Sequence, residues 1–461
     1  MTMYKVDPSS TVVLWFRRDL RLHDHPALHE AVERARAVVP LFVLDERLLE
    51  PAAPARAWFL RQTLRELDAS LRARGSGLLV RRGDPGEVVP AVAREAGADV
   101  VLASRDVTPL SHRRDAAVSA ALEEEGRHLA LRSGLLLAEP ETMLTAAERP
   151  YQVFTPFWKV LRRQPRREVL PAPAQVTTPP TTLAGTAVPD TERAPVPGLP
   201  RPGEAAAAER LREWVSHGLD TYGADRDVLA GTGSSHLGAD LHLGTLSPLQ
   251  VEDAAVASGQ EAEPFARQLG WRDFYHHLLF HRRHGPTVPD DPLMRAFRVE
   301  ADDPEAAAAW YEGRTGIPVV DASMRQLSAT GWMSNRARMV TASFLTRHLL
   351  LDYRIGERWF MRHLVDGDVA NNRGGWQWTA GVGADAQPWF RIFNPVRQGQ
   401  RFDPDGTWVR QWVPELEGVP DRFVHDPWNA PEPPPDYQPI VDLKAGRERA
   451  LAAFRSATAA D

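Results

Sequence analysis

The chain contains no cysteine, which excludes disulfides, Cys-ligated zinc and Cys-ligated iron–sulfur clusters. No apolar run reaches the roughly 18 residues of a membrane-spanning helix, and the first residues lack the basic, apolar and small-residue zones of a signal peptide. The expectation is a soluble cytoplasmic protein with no membrane partner. Lysine is nearly absent: only Lys5, Lys159 and Lys444 occur, so arginine carries almost all positive charge. The net charge of -6 argues against wholesale coating of nucleic acid but leaves room for a local basic surface. There is no internal repeat. No Gly-x-Gly-x-x-Gly follows the first predicted strand, so a standard dinucleotide site is not supported there.

What is present falls into two textures. At 461 residues the length favours two or more domains, each with its own core. Short apolar runs at Thr11–Phe16, Val38–Leu44, Leu78–Arg82, Val100–Ala103 and His128–Arg132 predict strands. Amphipathic stretches at Pro26–Arg36, Ala55–Arg74 and Pro85–Ala96 lie between them. Near-continuous apolar strands alternating with helices predict a five-stranded parallel Rossmann-like sheet, over residues 9–140, covered on both faces. Such a sheet binds ligands beyond the carboxyl ends of its strands.

Ten prolines and no aromatic residue occur between Pro165 and Pro202, a composition that cannot form a regular helix or a central strand. Residues 141–203 are therefore predicted to connect two domains. From 204 to 461 the chain turns to Ala-, Leu- and Arg-rich helical periodicity and holds eleven of the fourteen tryptophans. Predicted helices include Glu204–Tyr222, Glu263–Arg283, Val319–Thr330 and Asn335–Leu351, with Pro-rich turns at Gly285–Pro292 and Glu432–Pro435. This part is expected to be all-α.

The segment Asp366–Trp378 (DGDVANNRGGWQW) concentrates two acids, two asparagines and two tryptophans within 13 residues. A solvated loop does not carry two tryptophans, and a packed core does not accept two unpartnered aspartates. The mixture suits a site that grips a polar-edged aromatic ring. Trp376 and Trp378 are two residues apart and cannot point the same way in a helix or a strand.

This segment resembles the flavin-binding heart of the DNA photolyase/cryptochrome family. The resemblance extends to Leu14–Leu28 (LWFRRDLRLHDHPAL), Gln268–Tyr275 (QLGWRDFY), Gly313–Leu327 (GRTGIPVVDASMRQL), Gly331–Met339 (GWMSNRARM), Arg391–Pro395 (RIFNP) and Arg410–Glu415 (RQWVPE). These motifs keep one order over roughly 400 residues. The chain looks most similar to bacterial class I cyclobutane pyrimidine dimer photolyases.

The resemblance implies an FAD-binding site. Tyr222, Ser234, Ser235 and Leu237 correspond to diphosphate-side positions, with Gly238 where the family usually has a last Ser, and Arg272 is a further FAD-binding candidate. A small-residue loop opening a helix offers free N–H groups to such a group. Arg338 would pair with Asp366 under the flavin ring, Asp368 would accept from its polar edge, and Asn372 would stand beside N5. Photolyases resemble one another in having Asn at that last position. Trp271, Trp378, Asn335, Met339 and Gln268 correspond to a pocket for a dipyrimidine flipped out of DNA, where stacking is worth about 1–3 kcal/mol per base.

Asn335 and Met339 match the cyclobutane-type enzymes, since (6-4) photolyases have histidines around these positions. Gln268 departs from the Glu usual in cyclobutane enzymes and is more typical of (6-4) enzymes and animal cryptochromes. Arg226, Arg272, Arg336, Arg391 and Arg397 are candidates for DNA phosphate contact, the alternative being local ion pairs such as Arg226 with Asp225 or Asp227.

In many relatives three tryptophans lead from flavin to surface. Trp376 takes the inner position here, but Tyr353 stands in the middle position and Glu300 near the outer one. Trp310 and Trp359 offer another route or are simply core. In Ser104–Pro109, Asp106 resembles an acid that contacts an antenna chromophore, 8-hydroxy-5-deazaflavin being favoured over methenyltetrahydrofolate. His23 and His25 flank Asp24, and His276 precedes His277, but neither group has further ligands at convincing spacing, so no metal is expected.

The expected function is light-driven repair of cyclobutane dimers in damaged DNA by a monomer. The alternatives are a cryptochrome-like photoreceptor, a (6-4) photolyase, or a general electron-transfer flavoprotein.

Overall fold

A computed structural model describes residues 9–49, 53–180, 183–188, 197–231, 233–282, 291–298 and 300–459. Most of the predicted turn Gly285–Pro292 and part of the Pro-rich stretch lie outside the described residues. The chain divides into two compact units. One comprises Met1–Pro195, Pro200–Asp220 and Ser235–Arg283; the other comprises Val196–Leu199, Thr221–Ser234 and His284–Asp461.

The first unit contains a parallel sheet of five strands, β1 (Thr11–Phe16), β2 (Ala37–Leu44), β3 (Leu79–Arg82), β4 (Ala98–Ser104) and β5 (His128–Arg132), in the order β3-β2-β1-β4-β5. All six residues of β1 and all eight of β2 are buried, as expected where helices cover both faces. Helices α1 (Pro26–Arg34), α2 (Pro54–Arg72), α3 (Pro85–Glu95) and α4 (Pro109–Glu123) alternate with the strands. Val13 and Trp15 of β1 share a core with Val89 and Val92 of α3 and Val118 and Leu122 of α4. Each such side chain, fully buried, contributes about 1.5–3 kcal/mol. The winding reverses between β1 and β4, so the crevice at their carboxyl ends is where this topology offers a ligand site.

The same unit contains α5 (Phe154–Leu161), α6 (Glu204–His217), α7 (Pro248–Ala257) and α8 (Glu263–His281). Helix α5 was not foreseen: it sits at the start of the supposed connector, with Phe154, Phe157, Trp158 and Leu161 on one buried face. The proline-dense part beyond it has no helix or strand among the described residues. Helix α8 buries Leu269, Gly270, Asp273, Phe274 and His277 and leaves Gln268, Trp271 and Tyr275 partly open along the opposite stripe. Gly270 is required by close approach, because a Cβ there would stand 2.6 Å from the Trp158 ring.

The second unit contains α9 (Pro304–Glu312), α10 (Pro318–Thr330), α11 (Asn335–Ser343), α12 (Tyr353–His363), α13 (Val369–Ala380), α14 (Pro395–Phe402) and α15 (Leu443–Ala459). Its core includes Trp310, Phe344, Tyr353, Trp376, Trp408 and Phe454. The helix predicted to run to Leu351 instead ends at Ser343, followed by a π-helical turn over Phe344–His348 and by Leu350 at φ 55°. Eight of these fifteen helices open with proline, whose fixed φ and missing N–H suit a first turn. Polar caps complete several starts: Ser334 accepts from Ala337 N at 3.3 Å and Asp368 from Asn371 N at 2.8 Å.

Candidate functional site

In the second unit, α11 supplies Asn335, Arg338 and Met339 on one face, at the i, i+3, i+4 spacing of a single helical stripe. The loop between α12 and α13 supplies Asp366 and Asp368 and is pinned by Val365 N donating to Gly331 O at 2.8 Å. Arg338 donates from Nη2 to both oxygens of Asp366, at 3.0 and 2.9 Å, and from Nε to Met333 O at 2.9 Å. The pair is partly buried, so neither charge is left uncompensated in a low-dielectric setting. Asp368 is 4% exposed and accepts from both the backbone and the side-chain amide of Asn371. Asn372, one residue on, donates from Nδ2 to Glu357 O at 2.9 Å, which orients its amide from α12. The set combines a neutralised cation, an acceptor edge and a neutral amide. That chemistry fits a flavin ring.

Trp376 follows Asn372 by one turn of α13 and is 2% exposed, whereas Trp378 is only half-buried; the two indoles diverge as their spacing requires. Trp376 packs edge-on to Trp310 and Phe360, with centroids 6.0 and 4.9 Å away. Tyr353 is buried and makes no ring contact with Trp376 among the described residues; its hydroxyl accepts from Gln377 Nε2 at 3.4 Å. Burial pushes the Tyr353 hydroxyl above its ordinary range. Asn335 is exposed and its amide lies 3.5 Å from Met339 Sδ.

Among the arginines of this unit, Arg226 lies over the Tyr222 ring at 5.8 Å rather than on an aspartate. Asp227 pairs instead with Arg336 at 2.6 Å, and Arg336 also stacks on Phe402 at 4.5 Å. Its charge is thus compensated within the fold. Arg391 and Arg397 are exposed. Ser234 is half-buried at the end of the segment Thr221–Ser234.

In the first unit, Ser235 accepts from Leu237 N at 3.4 Å, and Leu237 is itself buried. His236 between them has φ 53°, a left-handed conformation uncommon outside glycine that histidine adopts more often than most residues. Trp271 stacks on Phe154, with centroids 3.9 Å apart and planes 9° from parallel. Gln268 turns back on its own helix, donating to Pro264 O at 3.4 Å. Arg272, expected to bind FAD or a DNA phosphate, donates to Leu135 O at 2.8 Å and Leu241 O at 3.4 Å.

Arg272 also lines a cleft with Arg18, Arg105, Asp106, Leu135 and His276, which lies at the carboxyl ends of β1 and β4. Asp106 is buried there and accepts from Ser111 Oγ at 2.8 Å, with Arg18 3.7 Å away. Burial opposes its ionisation, but Arg18, Arg17 and Arg114 outweigh that and hold the carboxyl well below the usual range. Arg114 is pulled down to about 10 by burial and by Arg17. The sequence reading found Asp106 but missed this arginine surround, although Arg17 and Arg18 stand in the quoted N-terminal motif. His25 caps α1 through Nδ1 and faces Asp19 with Nε2 at 3.0 Å, and His276 Nδ1 lies 2.9 Å from Arg272 O.

A family model described as "DNA photolyase" matches residues 12–176, and one described as "FAD binding domain of DNA photolyase" matches residues 265–456. A deoxyribodipyrimidine photo-lyase of Agrobacterium fabrum is 38% identical, over 97% of this chain and 98% of its own length. A bacterial class III photolyase from Agrobacterium tumefaciens has a similar structure, with a TM-score of 0.91 and 36% identity over 100% of both chains. A cryptochrome from Synechocystis sp. PCC6803 gives a TM-score of 0.87 and 31% identity over 98% of this chain and 100% of that one. The likeness expected to class I enzymes is not established by these matches.

Proposed function

The chain belongs to the DNA photolyase/cryptochrome family, as an FAD-binding lyase of light-driven DNA repair, and we propose that its lesion is the cyclobutane pyrimidine dimer. The observation that carries this reading is the α11 face. Asn335 and Met339 lie side by side next to Arg338, and neither is a histidine that could run the acid–base chemistry of a (6-4) lesion. The neutral amide of Asn372 supports it too, since it offers a hydrogen bond without adding charge.

In the second unit Arg338, Asp366, Asp368 and Asn372 would hold the flavin ring, with Tyr222 and Ser234 assigned to its remainder. Bound reduced FAD supplies the photochemistry, donating an electron to the dimer and recovering it. The chain's own contribution is positioning and a preorganised polar surround. In the first unit Trp271, backed by Phe154, presents a flat face for stacking and Gln268 a neutral amide. In the second, Trp378, Asn335 and Met339 present an indole, an amide and a thioether. Arg226, Arg391 and Arg397 would meet phosphates. The cleft around Asp106, with three arginines on its wall, would take an anionic antenna chromophore, which we assign as 8-hydroxy-5-deazaflavin.

The test is a pair of oligonucleotides, one with a cyclobutane thymine dimer and one with a (6-4) product, illuminated with the purified protein. Reversal of the first alone supports the proposal. Reversal of the second alone refutes it. Gln268 favours a second reading, a photoreceptor without repair, which predicts that neither lesion is reversed although the flavin is bound.

A further inference from the structure

In the second unit an unbroken line of oxidisable rings runs from Trp376 to the surface, and it does not pass through Tyr353. Trp376 meets Trp310 at 6.0 Å between centroids, Trp310 meets Tyr311 at 5.7 Å, and Tyr311 stacks on Trp359 at 4.3 Å with planes 25° apart. The line opens only at its outer end: Trp376 is 2% and Trp310 0% exposed, while Tyr311 and Trp359 are half-buried. Trp310 Nε1 donates to Thr341 O at 3.2 Å, whereas Trp376 Nε1 has no acceptor among the described residues. A carbonyl dipole beside Trp310 favours positive charge there over Trp376. The next ring offers a proton exit, because Tyr311 Oη donates to the exposed carboxylate of Glu300 at 3.0 Å.

We infer that Tyr311 is the terminal internal electron donor of this chain, reached from Trp376 through Trp310, and that Glu300 is its proton acceptor. The inference rests on the flavin reading of the Asp366–Asn372 region. An electron drawn from Trp376 toward photo-excited oxidised flavin is replaced from Trp310, and that one from Tyr311. As Tyr311 loses its electron, the Oη–H bond breaks and the proton passes to Glu300, leaving a neutral tyrosyl radical and a carboxylic acid. A small soluble thiol then returns one electron to Tyr311 and becomes a thiyl radical as its S–H bond breaks and that proton passes to solvent, while Glu300 returns the phenolic proton to Tyr311 Oη. Burial and the Glu300 carboxylate push the Tyr311 hydroxyl up to about 12, so the phenol starts each cycle protonated. Trp359 covers one face of the phenol ring.

The experiment is flash photolysis of the holoprotein with oxidised flavin, followed by transient absorption and electron paramagnetic resonance. The wild type is expected to give a long-lived neutral tyrosyl radical. That signal is lost in Tyr311→Phe, which removes one hydroxyl from a half-buried ring, and in Trp310→Phe; it survives in Tyr353→Phe. Glu300→Gln, a surface change, slows its formation and lengthens the life of a tryptophanyl cation radical. A tyrosyl signal that persists in Tyr311→Phe or vanishes in Tyr353→Phe overturns the route, as does a neutral tryptophanyl radical abolished by Trp359→Phe. Purified protein without flavin absorbance overturns the reading of the site itself, and the route with it.

Discussion

Arg338 grips both carboxylate oxygens of Asp366 with one guanidinium nitrogen, Nη2, while its Nε is tied to Met333 O. Nη1 has no partner among the described residues, so the cation is locked in place yet keeps N–H groups for a ligand. Asp366→Asn removes the charge that both fixes and compensates it. Losing a charge-assisted hydrogen bond costs about 1.5–3 kcal/mol, which corresponds to roughly 10- to 100-fold weaker flavin retention. Flavin absorbance remaining after ultrafiltration checks this. Retention equal to wild type would remove the pair from the flavin site.

Gly356 of α12 lies against the Trp376 ring, where a Cβ would stand 2.1 Å from Cη2. Gly356→Ala must therefore displace either α12 or the indole that starts the electron route. Overpacking of this kind costs about 1–3 kcal/mol. The expected outcome is a lowered denaturation midpoint together with less tryptophan oxidation per flash. A variant as stable as wild type with an unchanged flash yield would show that Trp376 is not held by this contact.

Asp273 and His277, one turn apart on α8, impose opposite pH dependences. Burial pushes the Asp273 carboxyl up to about 6, against Arg272 and His276. Between the unfolded value of 3.8 and about 6, the folded chain keeps a proton that the unfolded chain has released, so this group alone makes stability fall as pH rises. Burial, with His281 beside it, pulls the His277 imidazole down to about 4. Between about 4 and the unfolded 6.5 the folded chain lacks a proton that the unfolded chain carries, so stability rises with pH. Asp273→Asn is expected to give a Tm that climbs with pH across this window. His277→Phe is expected to give one that declines relative to wild type. Three parallel Tm curves would contradict the assignment.

Arg397 is exposed on α14, whereas Arg336 is already paired with Asp227. Each phosphate contact contributes about one unit to the salt dependence of DNA affinity. Arg397→Ala is expected to lower that slope by about one and weaken damaged and undamaged DNA alike. Arg336→Ala is expected to lower the denaturation midpoint and leave the salt slope nearly unchanged. Binding isotherms at several salt concentrations separate the two.

All five strands were legible as short apolar-rich runs: Thr11–Phe16 and His128–Arg132 form strands with the predicted bounds, whereas the strand predicted over Val100–Ala103 runs Ala98–Ser104. Helix α5 was not, although Phe154, Phe157, Trp158 and Leu161 have helical spacing, because the prolines after it dominate the local composition. Helix α4 was overlooked because its buried face includes Ser111 and Asp115, which break the apolar stripe. In the site, the 366–378 segment announced its acids and amides locally. The pairing of Arg336 with Asp227 spans 109 residues and that of Tyr311 with Glu300 spans 11, with nothing in composition to mark either. Tyr353 looked like the next electron station from its place in the motif, and the ring packing directs attention to Trp310 instead.

The central claim is lesion repair by bound reduced flavin, and light-driven reversal of a single thymine dimer in a defined oligonucleotide tests it most directly. Chemical reduction of the protein beforehand removes any dependence on Trp376, Trp310 or Tyr311. The account predicts restoration of the two thymines, with little loss in Tyr311→Phe. A pre-reduced, flavin-loaded protein that leaves the dimer intact under blue light would contradict it.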